Sequence, residues 1–172
     1  LAPPGVTSQV AVATAFRDDP RVVGVVGHTG SAQTEEAAPI YGDVEHGGRR
    51  ALVAITPTAT NPGVTAANPW IFRICPTDDD VARALARFTH DSLRSTRAAL
   101  LYRNDLFGRG FQQVFTAEFR GTGGAVATRD PYLAGITEYA AYATRLAKEK
   151  VDVLVVAGNA GDARDIIAAV RA

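Results

Sequence analysis

The sequence predicts an α/β protein built of parallel sheets covered by helices. Three observations lead there. Short apolar, β-branched runs alternate with amphipathic segments along the whole chain; the connections between them are short; and several runs empty into glycine- or hydroxyl-bearing turns just before a helix start. At 172 residues, 47% hydrophobic and 21% charged, the chain can bury a sizeable core, as one medium domain or two small ones.

In order, a helix is expected over Thr7–Phe16, stopped by Asp18-Asp19-Pro20. Val22–Val26 reads as a buried strand that leads into Gly27-His28-Thr29-Gly30-Ser31. The next helix is expected over Ser31–Ala38, with Ser31 as N-cap and Pro39 closing it. Gly42–Arg50 reads as a polar loop, Ala51–Ile55 as a strand, Thr56–Gly63 as a turn-rich segment and Trp70–Ile74 as a strand. Thr77-Asp78-Asp79-Asp80 opens a helix with its acids where the dipole favours them, and Val81, Leu85 and Phe88 give it an apolar stripe. A strand over Ala98–Tyr102 precedes a helix ending at Gly121, in which Phe107, Phe111, Phe115 and Phe119 recur every four residues. The last three of these read as core. Strands over Gly124–Thr128 and Val151–Val156, and helices over Thr137–Glu149 and Asp162–Val170, complete the alternation.

A strand, a glycine turn and a helix N-terminus bring free N–H groups and a positive dipole end together at Gly27–Ser31. A pyrophosphate site would require G-x-G-x-x-G, and Gly24-Val25-Val26-Gly27 has the wrong first spacing. A triphosphate site would require a lysine after Gly30, where Ser31 stands. What remains suits a small anion such as a carboxylate; the other reading is a tight turn without a ligand. In parallel α/β folds ligands sit at strand carboxyl ends, and four loops lie there: Gly27–Ser31, Thr56–Thr60, Arg103–Phe107 and Ala157–Asp162.

Formal net charge is +0, so there is no electrostatic footprint for nucleic acid or an anionic membrane. Cys75 is the only cysteine, which excludes an internal disulfide, and no apolar run approaches the ~20 residues of a membrane span. No loop pairs an acid with a base or shows metal-ligand spacing. His28, His46 and His90 are scattered, and nothing in the sequence sets the geometry of a Ser31/His28/Asp43 triad. The residues therefore give no sign of catalysis, a metal or a cofactor. The chain contains no methionine and begins Leu1-Ala2-Pro3-Pro4, and it reads as a piece of something longer.

The segments VVGVVGHTGSAQT, ITPTATNPGVT, WIFRICPTDDDVARALARF, LLYRNDLFGRGFQQVF, TEYAAYATRLAKEKVDVLVVAG and DARDIIAAVRA, in this order, resemble the periplasmic leucine/isoleucine/valine-binding proteins. These are the type I solute-binding receptors of branched-chain amino-acid ABC transporters. The resemblance implies two Rossmann-like lobes of parallel sheet flanked by helices that close on a ligand like a hinged clamp. Lobe one would span residues 1–75 and carry the carboxylate site, and lobe two residues 76–172. It also implies an extracytoplasmic receptor with a signal peptide in its parent, delivering an amino acid to transporter membrane subunits.

By the same resemblance, Ser31 falls at the carboxylate-binding serine and Thr60 at the threonine that holds the same carboxylate. Thr58, followed by Ala59 in the same motif, falls where a carbonyl accepts from the ligand ammonium. Phe107 falls at an aromatic position that packs on the ligand. Asn159 stands where the branched-chain binders tend to carry another aromatic residue, and the acid that pairs with the ammonium would lie beyond Ala172. A ligand-sensing domain of the same fold in a signalling protein is the alternative.

A doubly wound sheet normally places a strand before its first helix, and only Leu1–Gly5 precede this one. Lobe one is thus expected to be incomplete, with exposed strand edges and an uncovered apolar face. The chain by itself is expected to dimerise, exchange strands or belong to a longer protein, and lobe two to be the better folded half.

Overall fold

The computed structural model describes residues 8–66, 68–136 and 138–171. Thr7 and Thr137, the expected starts of two helices, lie outside the described residues. Contacts divide the chain into two units, the first ending at Thr77 and the second beginning at Asp78. The division read from the sequence falls between Cys75 and Pro76.

The first unit runs α1 (Gln9–Asp18), β1 (Val25–Val26), α2 (Ser31–Tyr41), a 3-10 turn over Val44–His46, β2 (Ala54–Thr56), the single turn α3 (Gly63–Ala66) and β3 (Ile71–Arg73). The sheet order is β1-β2-β3, all parallel, with Val25 opposite Ala54 and Ala54 opposite Ile71. That row packs on α1 and α2 through Ala13, Ala37 and Tyr41, which are fully buried. The opposite row, Val26–Ile55–Phe72, stays accessible, with Val26 81% and Phe72 51% exposed.

Three expectations fail in this unit. The valine run is not a buried strand: only Val25–Val26 pair, and Val23 is 91% exposed. Successive residues of a strand point to opposite faces, and α1 and α2 cover only the face that carries Val25, so Val26 points outward. Likewise Pro39 does not end α2, which continues to Tyr41. A proline in the last turn removes one backbone donor. The turn holds because the Gly42 N–H donates to the Ala38 carbonyl at 2.9 Å, the Asn68 amide donates to the same oxygen, and Tyr41 is fully buried. Ser31 is also the first helical residue, the N-cap being Gly30 in extended conformation.

The second unit runs α4 (Asp78–Arg87) into a π turn over Phe88–Ser92, then β4 (Arg97–Arg103), α5 (Leu106–Gly121), β5 (Ala125–Tyr132), α6 (Ala140–Glu149), β6 (Val153–Ala157) and α7 (Ala160–Arg171). Its parallel sheet has the order β5-β4-β6. Ala98, Ala99, Leu100 and Leu101 are all fully buried, as a central strand covered on both faces requires. Ala98 and Leu100 face Phe111, Phe115 and Phe119 of α5 with Ala82 and Ala86 of α4. Ala99 and Leu101 face Tyr132, Tyr139, Leu146 and Ile166. The phenylalanine stripe is therefore core, as its four-residue spacing predicts.

Of the stripe expected on α4, Leu85 packs half-buried against the core, but the fully covered positions lie one residue on from the other two. Ala82, Ala86 and Thr89 are buried, while Val81 is 43% and Phe88 51% exposed. The large rings of α5 fill the space between the helices, so the most closely facing positions of α4, Ala82 and Ala86, are small. β5 also runs past Thr128 to Tyr132; it is an edge strand, where Pro131 costs little in lost pairing. At the base of the sheet Asp152 accepts from the Thr96 and Arg97 N–H groups, each at 2.8 Å. These bonds, the one from Thr96 first, hold its carboxyl below the usual carboxylate range.

Urea denaturation checks the packing. Phe115→Ala is expected to cost about 3–5 kcal/mol, and Ala82→Leu about 1–3 kcal/mol by overpacking. Val81→Ser should change stability by less than about 0.5 kcal/mol.

Candidate functional site

Parallel pairing of β1 with β2 sets their carboxyl-end loops side by side, and the first loop leads into α2. The Gly27 N–H still donates to the Ile55 carbonyl at 2.9 Å, the last ladder bond before the chains diverge. Beyond it, side-chain hydroxyls replace the ladder. Thr56 Oγ1 donates to the His28 carbonyl at 2.7 Å and accepts from the Ala59 N–H at 3.0 Å. Thr58 Oγ1 donates to the Thr29 carbonyl at 2.7 Å, and the Asn61 N–H donates to Ser31 Oγ at 3.2 Å. Arg73 Nη1, from the end of β3, donates to the Asn61 carbonyl at 2.8 Å.

Ser31, Thr58, Ala59 and Thr60 are thus brought onto two adjoining loops. Ser31 is buried, and its oxygen accepts from Asn61, so its proton remains available to an acceptor. As the first residue of an eleven-residue helix, it adjoins N–H groups that have no acceptor within the helix. Thr60 is half-buried and has no hydrogen-bond partner among the described residues. Ala59 is fully buried, with its N–H already taken by Thr56, and it acts on the site by shaping the turn.

Phe107 and Asn159 lie in the second unit. Phe107 starts α5 half-buried; it packs on the α4–α5 core, its ring centroid 5.7 Å from that of Phe111. Asp105 caps this helix by accepting from the Gly108 N–H at 2.8 Å. A side chain at Gly108 would collide with the Arg103 carbonyl, so glycine is needed there to bring the helix close to the end of β4. Asn159 is exposed and caps α7, its Oδ1 accepting from the Asp162 N–H at 2.8 Å.

Sequence reasoning missed Thr56, Asn61 and Arg73. The signal available for Thr56 is the threonine at every second position, Thr56-Pro57-Thr58-Ala59-Thr60. It missed His28 as well, whose Nε2 lies 2.9 Å from Tyr41 Oη. Burial lowers the His28 pKa from its ordinary 6.5 and pushes the Tyr41 hydroxyl up to about 12, so the pair is neutral at pH 7. Asp43 bonds instead to His46 Nδ1 at 2.8 Å and to the Arg50 N–H at 3.0 Å, so His28, Ser31 and Asp43 form no relay. Among the described residues no cluster of three or more His, Cys, Asp or Glu could hold a metal ion, and no helix is long and apolar enough to cross a membrane.

Residues 6–172 match the family described as periplasmic binding protein. An amino acid binding protein of Pseudomonas aeruginosa is 25% identical over 94% of the chain, and the Leu/Ile/Val-binding protein of Escherichia coli K12 is 27% identical over 86%. The chain spans 42% and 39% of the lengths of these two relatives. A leucine binding protein of Thermotoga maritima, 22% identical, shares the fold with a TM-score of 0.86 over 95% of this chain and 45% of its own.

The half-buried His28, paired with the buried Tyr41, makes the stability of the first unit pH-dependent. Because the folded state holds the His28 pKa below 6.5, the unfolded chain takes up its proton first. Stability is expected to be fully present above pH 6.5 and to fall as the pH drops through that value toward the lower folded pKa. Melting temperatures from pH 8 to pH 5 check it: His28→Gln should flatten the profile, and an unchanged slope would assign the loss to other groups.

Proposed function

The chain belongs to the periplasmic binding protein family, and from that premise we propose that it forms part of an extracytoplasmic solute-binding receptor. The ligand is an amino acid, branched-chain or related, or a similar small carboxylate, which the receptor delivers to the membrane subunits of an ABC transporter. The names of the Pseudomonas and Escherichia relatives support this ligand class.

The observation that carries the reading is the pairing of two hydroxyls with a helix N-terminus. Ser31 and Thr60 each have a proton free to donate, on loops fastened together beside the first turn of α2. A hydrogen bond to a charged group contributes about 1.5–3 kcal/mol, whereas a helix end contributes about 0.3–1 kcal/mol at an exposed site. The hydroxyls therefore dominate, and the dipole adds to them. The Thr58 carbonyl takes the ligand ammonium in this reading. Phe107 offers an aromatic surface and Asn159 a polar one at strand ends of the second unit. The role is binding and release, with no bond made or broken.

Calorimetric titration of the intact protein with L-leucine, L-isoleucine and L-valine tests it. Ser31→Ala and Thr60→Ala are each expected to weaken binding about ten- to a hundredfold, the equivalent of one charge-assisted bond. Wild-type affinity in both variants would overturn the carboxylate assignment. Phe107→Ala should reduce affinity and, because its ring packs on Phe111 and the α4–α5 core, also lower the unliganded melting temperature; unchanged affinity would assign Phe107 to the core alone.

A further inference from the structure

We propose that Thr56 is the positioning residue of this site: its buried hydroxyl fastens the loop after β1 to the loop after β2 and so sets the spacing between Ser31 and Thr60. The proposal rests on the carboxylate reading above and deepens it.

Thr56 ends β2 and is fully buried, on the same side of the strand as Ala54, whose methyl packs with Ala37 and Tyr41 of α2. It therefore cannot touch a ligand. Its single proton goes to the His28 carbonyl of the first loop, and its lone pair receives the Ala59 N–H of the second. Both capacities of one hydroxyl are spent on holding the two loops in register. The other ties between these loops differ in kind. Thr58 is exposed, so its bond to the Thr29 carbonyl competes with water. The Asn61 bond ends on Ser31 Oγ, the atom that serves the ligand. Thr56 alone joins the loops out of contact with both solvent and ligand, so its bonds persist whether the site is full or empty.

Thr56→Val keeps the side chain's shape and removes both bonds. The His28 carbonyl then retains only the longer bond from Thr34 Oγ1, at 3.4 Å. The Ala59 N–H retains nothing, and the turn that carries Thr60 and Asn61 loses its anchor. Thr34 supplies the control, because its hydroxyl is equally buried but bonds only within the first loop, to the Gly30 and His28 carbonyls.

The test combines site-resolved amide exchange with L-leucine titration of the intact protein. Thr56→Val is expected to speed exchange at Asn61, as well as at Ala59, and to weaken leucine binding, each by about tenfold or more. Thr56→Ser should restore both, and Thr34→Val should alter neither even if it lowers the melting temperature. Wild-type exchange at Asn61 with wild-type affinity in Thr56→Val would overturn the proposal. Should that variant not fold, Thr56→Cys, which keeps the volume and weakens both bonds, is read by the same criteria. If the wild-type protein does not bind leucine, the branched-chain reading falls, and exchange at Asn61 alone decides on Thr56.

Discussion

Where two parallel strands end side by side, their ladder stops and the departing loops carry polar groups that must find new partners. This constraint organises the first unit. Gly27 makes the last β1–β2 ladder bond, and from there hydroxyls of Thr56 and Thr58 take over the role of strand backbone. The loops are thereby held close enough for Ser31 and Asn61 to meet. The candidate site is a by-product of satisfying the backbone at a strand end, since the bonds that do so hold the two loops together.

The two units solve the problem of covering a sheet differently. In the second, β4 is enclosed on both faces, by the phenylalanines of α5 on one and by Tyr139, Leu146 and Ile166 on the other. In the first, α1 and α2 cover one face and the Val26–Ile55–Phe72 row remains open. The ladders differ as well, β1–β2 and β2–β3 pairing over two and three residues and β4–β5 and β4–β6 over seven and five, so the second unit has both the longer pairing and the fuller burial, and burial is the larger contribution to stability.

The chemistry at the first two strand ends is almost wholly uncharged. The two loops there carry hydroxyls and N–H groups, and the adjacent His28–Tyr41 pair is held neutral by burial. Arg73, the cation at the third strand end, is engaged with the Asn61 carbonyl. Neutral donors stabilise an anion without the desolvation cost of burying a permanent ion pair.

The sequence by itself determined the α/β alternation, the parallel sheets, the phenylalanine core of α5 and the loops in which to look for an anion. Each of these follows from local periodicity or from turn residues, and so is written in neighbouring positions. Tertiary structure alone decided which residue of α4 faces the core, because that depends on the volume of the α5 rings across the interface. It alone carried α2 through Pro39, since the compensating contacts come from Asn68, far along the chain. And it alone brought Thr56 to His28: a hydroxyl's partner twenty-eight residues away leaves no trace in local pattern and is set only when β1 and β2 pair.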